Sequence, residues 1–544
     1  MSVKKHRLLL GLIIAIAAIV RFWHLGSNPP ALSWDEAAWG YNAFTISRTG
    51  ADEFGRFLPL DYLESFGDFK PPVYAYLTVL PVAIFGLTEF ATRFASAFFG
   101  TLTVLFTYLL AKELFSPAGQ KPSFMIHNSL FIPLLSAFLL AISPWHIMLS
   151  RAAFEANVAT FFLVAGITFF LIGLRRKGCW LISALSFALS LMTFNTARVV
   201  GPLLVLVLAI AFRRQLWQRK AETMLALVLA FALLLPTFKF LSTPMSRLRF
   251  HEVNIFSDTA VVLRANQAVA NDNNAWWSTV IHNRRWGYAL EFIRHYFDNL
   301  NPRFLFVSGD GNPKFSTQDV GSFYLWEAPF LVWGLLVLVR NRRPLWWLVP
   351  LWLVIGILPA ATAKETPHAL RIETTLPTWQ IMTALGLVGF FKKANKMAVY
   401  LLAAVIVFYF ALFQHGLWRH YPLEYASEWQ HGNKEAIAYI SGVTPDYDQI
   451  WFSDYLGRPY IYFLYYLQTD PQAFRSSARI YRESYGFVHV DSFAKYHFYR
   501  AKEQPKGEGK ALYVNAAENI PPQAEIIAEF PLPDGKANLV AYEI

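Results

Sequence analysis

Apolar residues run along this chain in long blocks separated by short polar intervals, and the blocks have the length of membrane-crossing helices rather than of strands. They lie at 8–25 and at about 91–111, 129–148, 157–174, 179–194, 200–212, 222–241, 322–339, 345–361, 375–391 and 397–414. Leu8 to Leu25 would reach roughly 27 Å as a helix, close to the thickness of the hydrocarbon core. Lys4, Lys5 and Arg7 precede this block and Arg21-Phe-Trp-His-Leu-Gly26 follows it without a small-residue cleavage site, so it reads as an uncleaved anchor with a cytoplasmic N-terminus.

The polar intervals carry basic clusters: Lys112 with Lys121; Arg175, Arg176 and Lys177; Arg213, Arg214, Arg219 and Lys220; Arg340, Arg342 and Arg343; Lys392, Lys393 and Lys396. All five fall on the cytoplasmic side only if the apolar stretch 71–87 does not cross the bilayer. The charge bias therefore predicts eleven spans, an outer C-terminus, and a juxtamembrane or re-entrant helix at 71–87 interrupted by Pro81. A true span there would put one or more clusters outside. After about residue 416 the pattern changes: an amphipathic helix is expected at 424–442 and strands at 448–453, 510–515, 525–530 and 538–543. The expected fold class is a polytopic α-helical membrane protein with a small extracytoplasmic α/β domain. Residues 1–420 form the membrane domain, with outer loops 27–90 and 242–320, and residues 421–544 the C-terminal domain.

Composition agrees. With 55% hydrophobic, 17% aromatic and 16% charged residues, the chain is too apolar for an ordinary soluble enzyme. The formal net charge of +11 resides in the loop clusters, which answers to topology rather than to nucleic acid. A single cysteine, Cys179, excludes an internal disulfide and a cysteine-rich metal site.

Candidate chemistry gathers on the predicted outer side. Asp35 and Glu36 stand in Ser33-Trp-Asp-Glu36, Asp68 and Lys70 in Gly67-Asp-Phe-Lys-Pro-Pro72, Glu89 and Arg93 open one span, and Arg151 and Glu155 precede another. Each has a structural alternative: Ser33 and Glu36 have capping-box spacing, Lys70 can snorkel at a helix start, and the other two are i,i+4 pairs. Four such groups on one face of one membrane nevertheless suit a lipid-linked sugar phosphate. A cation there stabilises the departing phosphate, and a carboxylate removes the proton of an attacking hydroxyl. Neighbouring helical residues point about 100° apart, so Asp35 and Glu36 do not flank one sugar as paired glycosidase carboxylates do. One base and one displacement imply inversion, with Glu36 left to orient the base or cap the helix.

The order Trp-Asp-Glu36, Lys70-Pro-Pro, Glu89-Phe-Ala-Thr-Arg-Phe-Ala-Ser-Ala97 and Ser143-Pro-Trp-His146 followed by Ser150-Arg-Ala-Ala-Phe-Glu155 resembles the protein O-mannosyltransferase and aminoarabinose-transferase superfamily, the C-type glycosyltransferases that use polyprenyl-phosphate sugars. The resemblance is dense over residues 1–200 and looser to about 415. It implies Asp35 as the catalytic base with Glu36 as its partner, and Lys70, Arg93 and Arg371 as donor-phosphate ligands. Possible supporting residues are Asp68, His146, Arg151, Glu155, Arg303, Asp310, Lys314 and His368. Some relatives carry Glu before Lys-Pro-Pro, where this chain has Phe69, with Asp68 one step earlier. The glycines and prolines of Asn301 to Lys314 read as turns, Trp276, Trp277 and Trp286 as aromatic-belt residues, and Asp446-Tyr-Asp448 as a turn rather than a metal motif.

The functional expectation is an inverting transferase moving a sugar, mannose or another hexose, from a polyprenyl-phosphate carrier to a hydroxyl on protein, lipid or envelope glycan at the extracytoplasmic face. The alternatives are a transporter or flippase of lipid-linked glycans and an inactive glycan-binding relative. Partners are then the lipid-linked donor, its acceptor and membrane lipids, without nucleic acid; no cofactor beyond the donor is specified, no metal cage is recognisable and a metal requirement is left open. The absence of an Asn-x-Ser/Thr sequon on the predicted outer segments agrees with a prokaryotic plasma membrane.

Overall fold

The computed structural model describes residues 3–115, 131–340, 345–483 and 486–544. Lys121, Arg342 and Arg343 of the basic clusters lie outside the described residues. The chain divides into two compact units, each assembled from separated segments: Met1–Arg21, Phe98–Ser150 and Glu155–Phe413 in the first, Phe22–Ala97, Arg151–Phe154 and Gln414–Ile544 in the second.

The first unit is helical. Among the described residues Glu89–Phe115, Glu155–Gly173, Lys220–Leu241 and Lys396–Glu424 are each long and apolar enough to cross a membrane. The pair Phe131–Ile142 and Pro144–Arg151 meets the same test jointly but bends by 56° at its break. Pro144 accounts for the break, because it has no N–H to donate and its ring disfavours helical geometry at Ser143. The bend frees carbonyls, and Arg21 of α1 (Val3–Phe22) takes them up, donating to Leu140 O and Ala141 O at 3.1 Å each and contacting His146 Nδ1 at 2.7 Å. Elsewhere two glycines let helices touch: a Cβ at Gly334 would lie 1.7 Å from Met382 O, and one at Gly386 2.0 Å from Phe330 O. Helices Glu327–Arg340 and Thr378–Phe391 thus pack backbone to backbone, the small-residue contact that membrane helices favour.

The second unit joins the first loop to the C-terminal residues. Its N-terminal part holds α2 (Trp34–Thr49), the strands β1 (Leu63–Ser65) and β2 (Asp68–Lys70), α3 (Val73–Phe85) and the first turns of α4 (Glu89–Phe115). At 13 residues, α3 contains Pro81 and reaches only about 20 Å, short of a full crossing. β1 and β2 form a hairpin unannounced by any Asn-Gly signal. Phe66 and Gly67 occupy its two-residue turn with φ of 62° and 83°, the geometry that matches strand twist.

The C-terminal residues build a seven-stranded mixed sheet in the order β4-β5-β6-β3-β7-β9-β8. The strands are β3 (Gln449–Ser453), β4 (Arg479–Arg482), β5 (Val488–Phe493), β6 (Tyr496–Tyr499), β7 (Ala511–Ala516), β8 (Glu525–Phe530) and β9 (Leu539–Glu543). Central β3 runs parallel to both β6 and β7, and the outer pairs are antiparallel. Four strands stand where the pattern predicts them. The pattern missed β4, β5 and β6, whose polar and aromatic residues do not alternate cleanly. The amphipathic helix is shorter than expected, Asn433–Val443, because Gly432 at φ 107° resets the chain just before it. Thr444–Asp446 is a 3₁₀ turn as the turn reading expects, whereas Asp448, just before β3, ties that strand to β7 by accepting Lys510 N at Oδ2, 2.9 Å away.

Candidate active site

Helix α2 starts as its capping-box spacing predicts. Glu36 N donates to Ser33 Oγ at 3.4 Å, and Ser33 N donates to Glu36 Oε2 at 3.0 Å. This turns Glu36 inward. Arg93 Nε donates to its Oε1 at 2.8 Å and Arg93 Nη2 to its Oε2 at 3.1 Å, while Ala153 N donates to Oε1 at 2.9 Å. The remaining Arg93 N–H groups go to the carbonyls of Leu25 at 3.2 Å, Pro29 at 2.9 Å and Ala31. A guanidinium has five N–H donors, and protein acceptors take all of them. The i,i+4 pairing expected of Glu89 and Arg93 gives way to two longer-range pairs, because Glu89 binds Lys434 at 2.6 Å.

Asp35, one residue back and about 100° round the helix, points elsewhere. Its side chain is 51% exposed and forms an ion pair with Lys70 Nζ. Lys70 is itself almost buried, with Nζ 5.2 Å from the Trp39 ring and 5.7 Å from the Phe66 ring. The hairpin fixes it in register opposite Leu63, and Asp68, two residues earlier, shares its face. The result is one reachable carboxylate beside one sheltered cation. Arg151 is buried, donating to Asn28 O at 2.7 Å and Trp23 O at 2.9 Å, with its guanidinium 4.6 Å from the Trp418 ring.

The remaining expected residues belong to the helical unit. Asp310 is buried and accepts Asn312 N at 2.8 Å and Ala369 N at 2.6 Å, so it anchors the backbone of the 366–371 segment. Burial nevertheless pushes its carboxyl up to about 6. Burial and the Arg371 charge push His368 down to about 3, and its Nδ1 is 4.0 Å from Asp310 Oδ2. Neutral and beyond hydrogen-bond range, His368 makes no ion pair with Asp310. Arg371 donates to Glu365 O at 3.1 Å and lies 3.9 Å from that residue's carboxylate. Arg303 is exposed and Lys314 half-buried. The expectation of turns throughout 301–314 is corrected at Pro302–Phe306, a short helix capped by the Asn301 side chain. Glu155 opens Glu155–Gly173, and its charge joins burial in pushing the Glu373 carboxyl well up.

Residues 69–239 match the family described as dolichyl-phosphate-mannose-protein mannosyltransferase. Among solved structures, ArnT from Cupriavidus metallidurans, bound to undecaprenyl phosphate, aligns at a TM-score of 0.51 and 13% identity, covering 98% of this chain and 97% of its own. Residues 69–239 are thus similar to that family, and the chain as a whole shares its fold with ArnT. The chain also aligns with the oligosaccharyltransferase AglB from Archaeoglobus fulgidus, determined with an inhibitory peptide and a dolichol-phosphate, at a TM-score of 0.48 and 14% identity over 86% of this chain and 64% of that one. None of the curated proteins matches it. The transporter alternative gains no support from these matches.

The sequence hid several residues that shape the Asp35 region. Tyr462 OH donates to Leu32 O at 3.1 Å, just before α2, and Tyr465 OH lies 2.8 Å from Thr92 Oγ1. A Cβ at Gly40 would come within 2.5 Å of the Tyr465 ring, so that aromatic contact needs a glycine in α2. Glu53 is fully buried; burial and then Asp52 push its carboxyl well up, against the pull of Lys70. The one sequence signal was the density of aromatic residues over 460–466, which said nothing of their partners.

Proposed function

We propose that this protein transfers a sugar from a polyprenyl-phosphate carrier to a hydroxyl acceptor, with inversion, at the extracytoplasmic face of a plasma membrane. The observation that carries the reading is the Asp35–Lys70 pair: a half-exposed carboxylate next to a cation held by a hairpin. Lys70 exchanges Asp35 for the donor phosphate, so the arriving substrate frees the base beside the anomeric carbon. Asp35 then takes the proton of the attacking hydroxyl while Lys70 stabilises the departing phosphate.

Glu36 and Arg93 act as positioning residues in this scheme. Arg93 has its five donors engaged, which supports a role in fixing the start of α2 rather than in holding phosphate. Arg371 is the second candidate for the phosphate, with Asp310 setting the backbone that carries it. Mannose and other hexoses remain the candidate sugars, and the similarity to ArnT, solved with undecaprenyl phosphate, supports the class of carrier.

The test is transfer of labelled sugar from a panel of polyprenyl-phosphate sugars by wild type and Asp35→Asn at matched folded amounts. Loss of transfer with donor binding retained supports the assignment, and the active donor names the sugar. Undiminished transfer by Asp35→Asn would remove Asp35 from the chemistry.

A further inference from the structure

Helix Arg284–Asp298 of the helical unit is inside out. A helix on a water-soluble protein buries its apolar stripe, yet here Trp286, Leu290, Ile293 and Phe297, which share one face at spacings of four, three and four, are 50% to 64% exposed. The polar groups turn inward instead. His295 is buried with Nδ1 2.7 Å from Ala363 O, Asp298 Oδ2 accepts from Thr366 Oγ1 at 2.9 Å, and Tyr288 OH donates to Asp258 O at 3.3 Å. Along one flank runs an open groove of about 460 Å³, lined by Arg285, Tyr288, Ala289, Phe292 and Ile293 of this helix and by Phe256. From Arg285 to Ile293 the groove follows two turns of helix, about 12 Å, with its single cation at one end. Among the described residues Arg285 forms no ion pair, because the helix's own Glu291 is engaged by Arg264 at 3.3 Å and Arg294 at 3.9 Å.

We propose that this groove holds an anionic phospholipid of the surrounding bilayer, with the phosphate on Arg285 and a segment of acyl chain along Ala289, Phe292 and Ile293. Shape is the first argument. One charge at the end of an apolar trough is the complement of an amphiphile; a sugar would find few hydroxyl partners there, and a small anion would leave the trough uncovered. Charge is the second. The Arg285 guanidinium is uncompensated and presents a fork that matches phosphate, and exposed Arg284 beside it adds to the positive potential. Depth is the third. Tyr296 OH donates to Val354 O at 3.1 Å, within helix Leu348–Ala361 of the apolar block 345–361. Val354 stands seven residues, about 10 Å, before the end of that helix. The outward side chains of Arg284–Asp298 therefore stand beside the interior of a block of membrane-crossing character, where the medium is lipid.

An amphipathic helix of another protein is the competing occupant of an apolar groove. The setting disfavours it. In lipid the hydrophobic effect does not drive helices together, and association there relies on small residues that let backbones touch. This groove offers large aromatic side chains and one cation instead.

The test uses the purified full-length protein, delipidated in detergent and titrated with dioleoyl phosphatidylglycerol, dioleoyl phosphatidylcholine or undecaprenyl phosphate, with bound lipid counted by native mass spectrometry. Wild type should take up one phosphatidylglycerol saturably and in preference to phosphatidylcholine. Arg285→Gln, which removes a charge-assisted contact, should weaken that uptake about tenfold to a hundredfold. Ala289→Trp, which fills the groove and keeps the cation, should weaken it as well. Arg214→Gln, at an exposed arginine far along the chain from the groove, should bind as wild type does. Melting temperatures serve as the folding control for all three variants. Phosphatidylglycerol uptake that neither Arg285→Gln nor Ala289→Trp weakens overturns the site, and so does a wild type that takes up no lipid. Equal uptake of phosphatidylcholine, indifferent to Arg285, overturns it by showing an apolar groove without headgroup recognition. Uptake of undecaprenyl phosphate in preference to phosphatidylglycerol overturns it by assigning the groove to the sugar carrier. None of these readouts requires turnover, so the site and the transferase reading fail separately.

Discussion

Arg93 closes on Glu36 across 57 residues of sequence through two hydrogen bonds, 2.8 and 3.1 Å long, with both side chains buried. The neighbouring Asp35 stands half in solvent beside Lys70. Two adjacent acids thus have opposite environments, and substitutions at them should separate folding from activity.

Removing one partner of a buried pair leaves an uncompensated charge. Arg93→Met should destabilise the protein by about 3–5 kcal/mol, read as a lowered melting temperature in detergent. Combining it with Glu36→Gln should recover part of that loss. A double variant less stable than Arg93→Met alone would show that the pair is not what holds α2.

Asp35→Asn should cost about 1 kcal/mol, less than Arg93→Met because the lost carboxylate is half exposed although Lys70 is sheltered, while lowering kcat about a hundredfold to ten-thousandfold, the range of a general base. Parallel melting curves and single-turnover transfer measure the two effects separately.

Lys70→Gln keeps the side chain's length and removes its charge. Loss of a charge-assisted contact worth about 1.5–3 kcal/mol should weaken donor-phosphate binding by about tenfold to a hundredfold. Titration with undecaprenyl phosphate reads this without requiring turnover.

Gly67→Ala should act on Lys70 from a distance. The residue sits at φ 83° in the hairpin turn, and its new Cβ would fall 2.2 Å from Gly486 O. The left-handed conformation alone costs about 1–2 kcal/mol, and the contact forces the hairpin to shift. Stability and kcat should fall together, whereas Asp68→Asn, on the Lys70-bearing face of the same hairpin, should spare stability.

Asp310 gives a pH signature. Its folded carboxyl titrates at about 6, above the ordinary value of 3.8, so the folded state binds the proton more tightly than the unfolded chain. Its contribution to stability is full below about 4 and lost as pH rises through about 6. Asp310→Asn surrenders one hydrogen-bond acceptor and is less stable throughout. The wild-type advantage over it should therefore shrink between pH 4 and 7, as read from melting temperatures across that interval.

The sequence by itself determined whatever is local or repetitive. Apolar block length and the Ser33–Glu36 spacing specify helices and a capped start, because each depends on residues within one or two turns, whereas the block at 129–148 read as one span and is broken at Pro144. The strands at 449–453, 511–516, 525–530 and 539–543 were legible for the same reason. Only the tertiary structure decided which acid faces water. Glu36 turns inward because Arg93 and Ala153 N meet it there, and neither contact leaves a trace in local spacing. The hairpin that registers Lys70, the Tyr462 bond to Leu32 O and the Glu64–Arg482 ion pair likewise join residues from 7 to 430 positions apart. Local propensity fixes elements; long-range hydrogen bonds and buried charge decide what those elements present.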